Sequence, residues 1–557
     1  MKSEKLYEAI GDIDEKLISD AEDFGKKSGK KRIVPFIVSL AAVFAVIIAL
    51  GIIGPFTFSG AVLPPDDGTL PGGDETSLQE DNTGDFSSEE TTAPDSQEST
   101  TSSLNSEPPE EKTTITGLLP PPEDETQSGF INPHKTDSNK NIRPVTLSKA
   151  SYPENVKYPV LGDMDPGYRK WWEEKKTLNS IEVETDSIKS FSKSVLVELL
   201  TDKRDENNAV SPLNLYIALG MLAETCDGNS RKQILDLLGE ESIETLRESA
   251  EKIWRKNYRD DGAVKSVIAN SLWLNSSISY NKTAVQTIAE KYFASVYSGT
   301  MGSAQYDKLM SDWLYENTDK MLKPEVQTDY ETVMSIASTL VFSSKWVNEF
   351  QKSETEKGIF HTPSGDKTVS YMNAKRSMYY FWGEKYTAVS MDLDIGGSMW
   401  FILPDEGTDA DEIFKDSQML ELITRDDIDT AVFKNTYENG KYIQVNVSVP
   451  KFDIKSEKNV LEGIKHLGVT DVADELLSDF SPLAKNPEGI YIDKIDHGVR
   501  VKIDEEGVQA AAYTVIVGLG SSMPPDENVD FVLDRPFAFV VTSNDNIPLF
   551  AGVVNNP

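Results

Sequence analysis

The residue types that ordinarily carry chemistry are thinly supplied in this chain, and their spacing argues against catalysis. Four histidines, His134, His361, His466 and His497, stand far apart, and the single cysteine, Cys226, has no histidine near it in sequence. A lone thiol is more often a buried structural residue than a nucleophile. The chain has no GxSxG elbow, HExxH helix, Walker loop or CxxC pair, so the usual motifs for acyl transfer, zinc hydrolysis, phosphoryl transfer and thiol exchange are missing. Asp405, Glu406, Asp409 and Asp411 form an acidic run. Without the spacing and central glycine of a calcium loop, it reads as a solvated loop. Gly518-x-Gly520 is not followed by the helix pattern that a phosphate-binding loop needs. No metal and no cofactor are expected.

The stretch from Asp504 to Glu527 is unusual in another way. Upstream, HGVRVKI places His497, Val499, Val501 and Ile503 on one face at period two, with Arg500 and Lys502 on the other, and downstream FVLDRPFAFVV resumes a strand pattern. A loop between two such strands should be polar and rich in turn formers. Here Gly507 is followed by Ala510, Ala511 and Ala512 and then by Thr514, Val515, Ile516 and Val517, which is strand material. Alternation sends Val508, Ala510, Ala512, Thr514 and Ile516 to one face, all small or apolar, and Gln509, Ala511, Tyr513 and Val515 to the other. The segment therefore reads as a conditional strand, with Gly507 supplying backbone freedom for a hinge.

Glu505, Glu506 and Gly507 followed by the alanines resemble the hinge of the serpins, and Asp534, Arg535, Pro536 and Phe537 resemble that family's signature after its reactive loop. The match runs over most of residues 186–557, with its motifs in family order. The resemblance implies a hinge formed by Glu505, Glu506, Gly507, Val508, Gln509, Ala510, Ala511, Ala512, Tyr513 and Thr514. It also implies a reactive bond between Ser521 and Ser522, just before Met523-Pro524-Pro525. His497 then matches the shutter histidine under the point where the main sheet opens, with Ser211 at a helix start as its neighbour. Ser338 falls where the family usually has asparagine, and Trp346 matches the breach tryptophan where insertion begins. Read without the family, His497 is a satisfied core histidine and Trp346 a large core aromatic. Further departures are Val508 for a frequent threonine, Tyr513 for a small residue, extra residues between Pro525 and Phe531, and Ala538 for a larger apolar residue.

What the resemblance implies in function is an irreversible suicide substrate of serine proteases, and so not an enzyme. The protease would attack Ser521, form an acyl-enzyme and be trapped covalently as the freed loop entered the sheet. A small residue at the attacked position points to elastase-like or other small-pocket proteases. The alternative is a non-inhibitory binding module of the same fold at the cell surface. The absence of charge and proline between Val508 and Thr514 argues against it.

The rest of the chain positions this apparatus. Residues 1–32 form a short charged segment with apolar residues at helical spacing, and Ile33 to Gly54 are 22 residues without a charge, long enough to span a bilayer. Lys26, Lys27, Lys30, Lys31 and Arg32 precede that run and the next basic residue is Lys112. This places the N-terminus in the cytoplasm and the remainder outside. The competing expectation is secretion after cleavage near Ser59-Gly60-Ala61, but the apolar run exceeds the usual signal length. Residues 55–140 read as a disordered acidic stem rich in Ser, Thr and Pro, with eighteen acids against three bases between 61 and 140. Its reach is about 50 Å as a random coil. Residues 141–185, with Trp171 and Trp172, read as an extension packing on the domain at 186–557, whose reactive loop spans 505–527.

That domain is expected to be α+β. It should have a large central sheet, additional sheets, about eight or nine helices and an exposed reactive-centre loop. Strands are expected at SVIANSLWLN, IASTLVFSSKW, SMWFILPDEG, YIQVNVSVPKF and YIDKIDHGVRVKI, and Ser211-Pro212 should open a helix that Gly228 ends. A net charge of -37 argues against nucleic acid. The single cysteine permits no internal disulfide, which fits an exported bacterial-type protein at least as well as a eukaryotic secreted one. The expected partners are a target protease and the membrane, with the protein itself a monomer.

Overall fold

The computed structural model describes residues 129–134, 142–159, 165–201, 206–321, 324–394, 396–492, 494–508 and 527–557. The expected cytoplasmic segment, transmembrane helix and signal-cleavage site lie outside the described residues, as do most of the stem and the loop residues Gln509 to Thr514, Ser521 and Ser522. Among the described residues, no helix is long and apolar enough to cross a membrane.

Ten α-helices are described: α1 Tyr168–Asn179, α2 Asp186–Leu200, α3 Pro212–Thr225, α4 Gly228–Leu238, α5 Ile243–Asn257, α6 Lys282–Lys291, α7 Ala304–Glu316, α8 Ser417–Thr424, α9 Ile428–Phe433 and α10 Leu461–His466. Nine of these described helices fall within 186–557, and α1 precedes them. Their sequences show why each lies where it does. Pro212 fills the first position of α3, where its missing N–H is no loss, and the Ser211 hydroxyl accepts from the Asn214 amide. All of α3 is buried, as a helix apolar on every side must be. α5 instead is amphipathic. It opens on a capping box between Ser242 and Thr245, carries Glu244 in its first turn and Arg255 and Lys256 in its last, and buries only one stripe. Gly228 does not end α3 as expected. Extended Cys226 caps α3, and Gly228, at φ +57°, is the first residue of α4.

One sheet has eight strands: β1 Val145–Ser148, β2 Arg259–Asp260, β3 Lys265–Asn275, β4 Ala294–Gly299, β5 Met334–Lys345, β6 Phe452–Asn459, β7 Asp496–Ile503 and β8 Gly507–Val508. Their order across the sheet is β6, β7, β8, β5, β3, β4, β1, with β2 paired onto β3. The strand expected from Tyr491 begins only at Asp496, and Tyr491 itself is exposed. A second sheet of nine strands runs in the order Asn528–Val532, Gly440–Pro450, Gly365–Trp382, Tyr386–Asp392, Ser398–Pro404, Phe537–Thr542, Pro548–Val554, Asn208–Val210, and Glu356–Thr362 also pairs with Gly365–Trp382. A main core lies between the sheets and α2, α3 and α5. A smaller core, built from Trp273, Tyr297, Tyr306 and Trp313, holds α7 on the eight-stranded sheet.

Candidate functional site

β5 and β7 are the strands between which the loop segment begins. Both run antiparallel to β8, so they are parallel to each other, and β8 is what joins them. Its pairs are Ile503↔Val508 on one side and Gly507↔Lys345 and Val508↔Ser344 on the other. Among the described residues, no ladder joins β5 to β7 below that point. An antiparallel strand placed between two parallel ones can satisfy the backbone groups of both edges. At the head of the two strands, Gly507 and Val508 take that place.

The head of the gap is fastened through backbone carbonyls. Trp346 Nε1 donates to Asp504 O at 2.9 Å, the Trp346 amide to Glu506 O at 3.0 Å, and the Phe350 amide to Glu505 O at 2.9 Å. The Trp346 ring is buried, edge-on to Phe350 and tilted against Phe401 of the other sheet. Glu506 pairs with Lys352 at 2.6 Å, while Glu505 receives Lys451 at 2.5 Å and Thr355 Oγ1 at 2.7 Å. Burial works against the Glu505 carboxylate, but Lys451 and Thr355 outweigh it and hold its pKa below the usual range.

Gly507 is also held by its surroundings. Its φ is not positive. Its backbone instead passes so close to β5 that a Cβ would meet Ser344 O at 2.2 Å and Lys345 Cα at 2.7 Å. Glycine is required there for close approach.

Beneath the gap, polar side chains are linked into a chain that passes through the backbone amides of Ser211 and Asn214. His497 is on the buried face of β7 with Val499, Val501 and Ile503. Its Nε2 accepts the Ser211 amide at 3.0 Å, so that nitrogen carries no proton. Burial, reinforced by Lys458 opposite it on β6, lowers the imidazole pKa to about 3. The Asn214 amide donates to Ser211 Oγ, and Ser338 Oγ lies against both Asn214 Oδ1 and, at 2.5 Å, Asn270 Oδ1. Asn270 Nδ2 continues the chain to Tyr292 O at 3.0 Å. One hydroxyl proton cannot serve two carbonyls, and Asn214 Nδ2 has no partner. Rotating the Asn214 amide resolves both: its NH2 donates to Ser338, which donates to Asn270.

Ser338 thus reaches His497 only through Asn214 and Ser211. Asn214 and Asn270 were missed in the sequence reading, although Asn270 in the middle of the apolar run SVIANSLWLN was a visible signal.

The signature residues act structurally. Arg535 bonds Asp534 at 3.0 Å and Pro404 O at 2.8 Å, Asp534 O accepts the His361 amide, and Pro536 leads into the strand that Phe537 opens. Phe537 is fully buried among Phe360, Phe401 and Phe452, and Ala538 is fully buried beside it. Burial pushes the Cys226 thiol pKa well up, so it stays protonated. In the acidic run Asp405, Glu406 and Asp409 are exposed, but Asp411 is buried at the head of a short 3-10 turn, contrary to the solvated-loop reading. Among the described residues, no group of three or more His, Cys, Asp or Glu side chains is placed to hold a metal.

This architecture has known counterparts. The family described as Serpin (serine protease inhibitor) matches residues 186–557, and the chain belongs to it. Serpin-ZX of Arabidopsis thaliana is 25% identical over 397 residues, covering 68% of this chain and 98% of that protein. Alpha-1-antitrypsin 1-2 of Mus musculus is 24% identical over 377 residues, covering 66% and 87%. Among solved structures, the thermophilic serpin tengpin in its native state superposes with a TM-score of 0.59 at 25% identity, covering 74% of this chain and 98% of that one. Human thyroxine-binding globulin with its ligand gives 0.56 at 20% identity, covering 68% and 99%, a likeness of fold alone.

Proposed function

We propose that this serpin is an irreversible suicide-substrate inhibitor of serine proteases, cleaved between Ser521 and Ser522. The observation that carries the reading is β8, where Gly507 and Val508 already occupy the first position between two parallel strands. The residues that would follow them inward, Ala510, Ala512 and Thr514, are small enough to enter. Each pair of residues that entered would add ladder bonds and bury apolar surface, at roughly 25 cal/mol per Å². Ser521 in the attacked position suits proteases with small primary pockets.

The inhibitor would stand outside the cell as a monomer, of bacterial type, on a single membrane helix at 33–54 and an acidic stem. The five basic residues before Ile33 and their absence up to Lys112 support that orientation. The test is a denaturing gel with elastase-like, trypsin-like and subtilisin-like enzymes. The expected result is a covalent complex with the first class, releasing a peptide that begins at Ser522. Ala512→Glu, inward by alternation, should convert the protein to a substrate cleaved at the same bond, with complex falling at least about tenfold because a buried unpaired charge is so costly. Ala511→Glu, one residue away and outward, should be far milder. Equal trapping by both variants, with cleavage leaving the melting temperature unchanged, would overturn the conditional strand, and no covalent complex with any of the three classes would replace this reading with that of a binding module.

A further inference from the structure

We infer that the target protease touches a second surface of this chain, built from Tyr379, Tyr442, Phe433, Asp392 and Asp429, which takes a protruding arginine or lysine of that protease. The inference rests on the proposed reactive bond at Ser521-Ser522 and names the kind of protease surface that docks around it.

The aromatic part lies on the nine-stranded sheet. Tyr379 and Tyr442 are directly opposite each other in the ladder between Gly365–Trp382 and Gly440–Pro450, and their rings meet edge to face with centroids 5.2 Å apart. Period two gives both residues the same face of the sheet. Tyr442 is 50% exposed, and Phe433, the last residue of α9, is 76% exposed. α9 packs on Gly440–Pro450, with Val432 so close to Gly440 that a Cβ there would stand 3.0 Å from Val432 Cγ2. Rings left in water contribute little to the fold. Their use is at interfaces, where they bury a large area at a small cost in side-chain entropy.

The charges around these rings set the chemistry of the partner. Burial first, and then Asp429, Tyr442 and Asp392, raise the Tyr379 hydroxyl pKa to about 12, so both carboxylates act at that ring. Asp429 is exposed on α9, and Asp392 Oδ1 accepts Ser398 Oγ at 3.2 Å. The cation next to Tyr442, Lys441, is paired with Glu527 at 3.1 Å. A guanidinium or ammonium group over the face of a tyrosine, with carboxylates beside it, is held by the ring and by the charges together. The net charge of -37 adds a long-range attraction for a basic protein.

Position selects the protease as the occupant. Glu527 O accepts the Gln444 amide at 3.0 Å while its carboxylate takes Lys441, so the far root of the reactive loop is fastened on both sides of Tyr442. From Ser522 to Glu527 the chain advances five residues, at most about 18 Å. A protease domain of about 200 residues has a radius of gyration of about 16 Å, so a protease seated on the reactive bond overhangs Glu527 and the sheet beside it.

The test uses the full chain with Asp429→Asn and, separately, Tyr442→Thr, which keeps a strand-forming residue in the ladder. Association rates are measured with two small-pocket serine proteases, one with a basic surface and one with an acidic surface, and covalent complex is read on a denaturing gel. With the basic protease each variant should associate slower by on the order of fivefold, and wild type should lose rate with added salt more steeply than either variant. The rate with the acidic protease and the fraction of bound protease that becomes covalent should not change. Trapping of the basic protease at equal rates by wild type and both variants overturns the surface and leaves the inhibitor reading standing. Equal slowing toward both proteases also overturns it, because the substitutions would then act through the loop or the fold. Should neither protease be trapped, the basic protease with its catalytic serine blocked is bound to immobilised chain. Tighter binding to wild type than to the variants then keeps the surface and overturns the inhibitor reading, and no difference overturns both.

Discussion

The two large sheets share one core and are built to opposite ends. In the nine-stranded sheet the ladder between Gly365–Trp382 and Gly440–Pro450 runs unbroken from Tyr371↔Pro450 to Phe381↔Gly440, and Phe537–Thr542 and Pro548–Val554 are buried throughout. In the eight-stranded sheet a ladder of nearly the same length joins β3 to β5, from Lys265↔Ser343 to Leu274↔Met334, yet among the described residues β5 and β7 are joined only through Gly507 and Val508. Beneath that wedge the contact between α3 and the strands is polar, through Ser211, His497, Asn214, Ser338 and Asn270. Hydrophobic burial is non-directional, and its loss is spread over many contacts. Individual hydrogen bonds are directional and lost singly, so a contact made of them can part at a defined place. One sheet is a scaffold; the other has a seam.

The contrast is broken most severely from the scaffold side. Phe537 joins the sheets, with Phe360 and Phe401 on one side and Phe452 of β6 on the other. Phe537→Ala should lower global stability by about 3–5 kcal/mol. Denaturant midpoints followed by tryptophan fluorescence and by circular dichroism should shift together. Separate midpoints would mean that the sheets unfold independently.

Acid should act on the seam next. His497 accepts a hydrogen bond and is held neutral in the fold, with its pKa lowered to about 3 by burial and by Lys458, against 6.5 when unfolded. In that window the unfolded chain binds the additional proton, so stability rises with pH from about 3 to about 6.5 and is fully present above it. Taking pH 7 to pH 5 should remove about 2 kcal/mol through this group. His497→Gln, which keeps an acceptor for the Ser211 amide, should flatten that part of the stability–pH curve. An unchanged slope in the variant would assign the acid sensitivity to other groups.

Much of this is legible in the sequence. Alternation placed His497, Val499, Val501 and Ile503 on one face, because period two is a local property of a strand. Ser211-Pro212 announced the start of α3 through groups within three residues of each other. Illegible were facts that depend on what lies opposite. The close approach of Gly507 to the carbonyl of Ser344, some 160 residues earlier in the chain, leaves no local trace. The partners of Ser338 are Asn214 on a helix and Asn270 on the neighbouring strand, and no local pattern links the three. The edge strand β1 was not anticipated either, since four residues are too few for periodicity to declare.

The smallest effect expected is also the most local. Ser338 is on β5 directly opposite Asn270 of β3, and its hydroxyl is the link between that strand pair and α3. Removing it in Ser338→Ala leaves two buried amides without their shared partner, but the amides face the same vacated space and can relax toward each other. The loss should therefore fall near the net value of a single hydrogen bond, about 1 kcal/mol. Because the hydroxyl is within the seam, that loss should appear as local opening, with amide exchange in β5 and β7 accelerated about fivefold while Ser398–Pro404 exchanges as before. Ser338→Asn supplies an amide of its own at the same point, and should restore slow exchange if donors and acceptors are what close the seam. If Ser338→Ala accelerates exchange in both sheets equally, the polar chain contributes only to global stability, and the distinction between scaffold and seam fails.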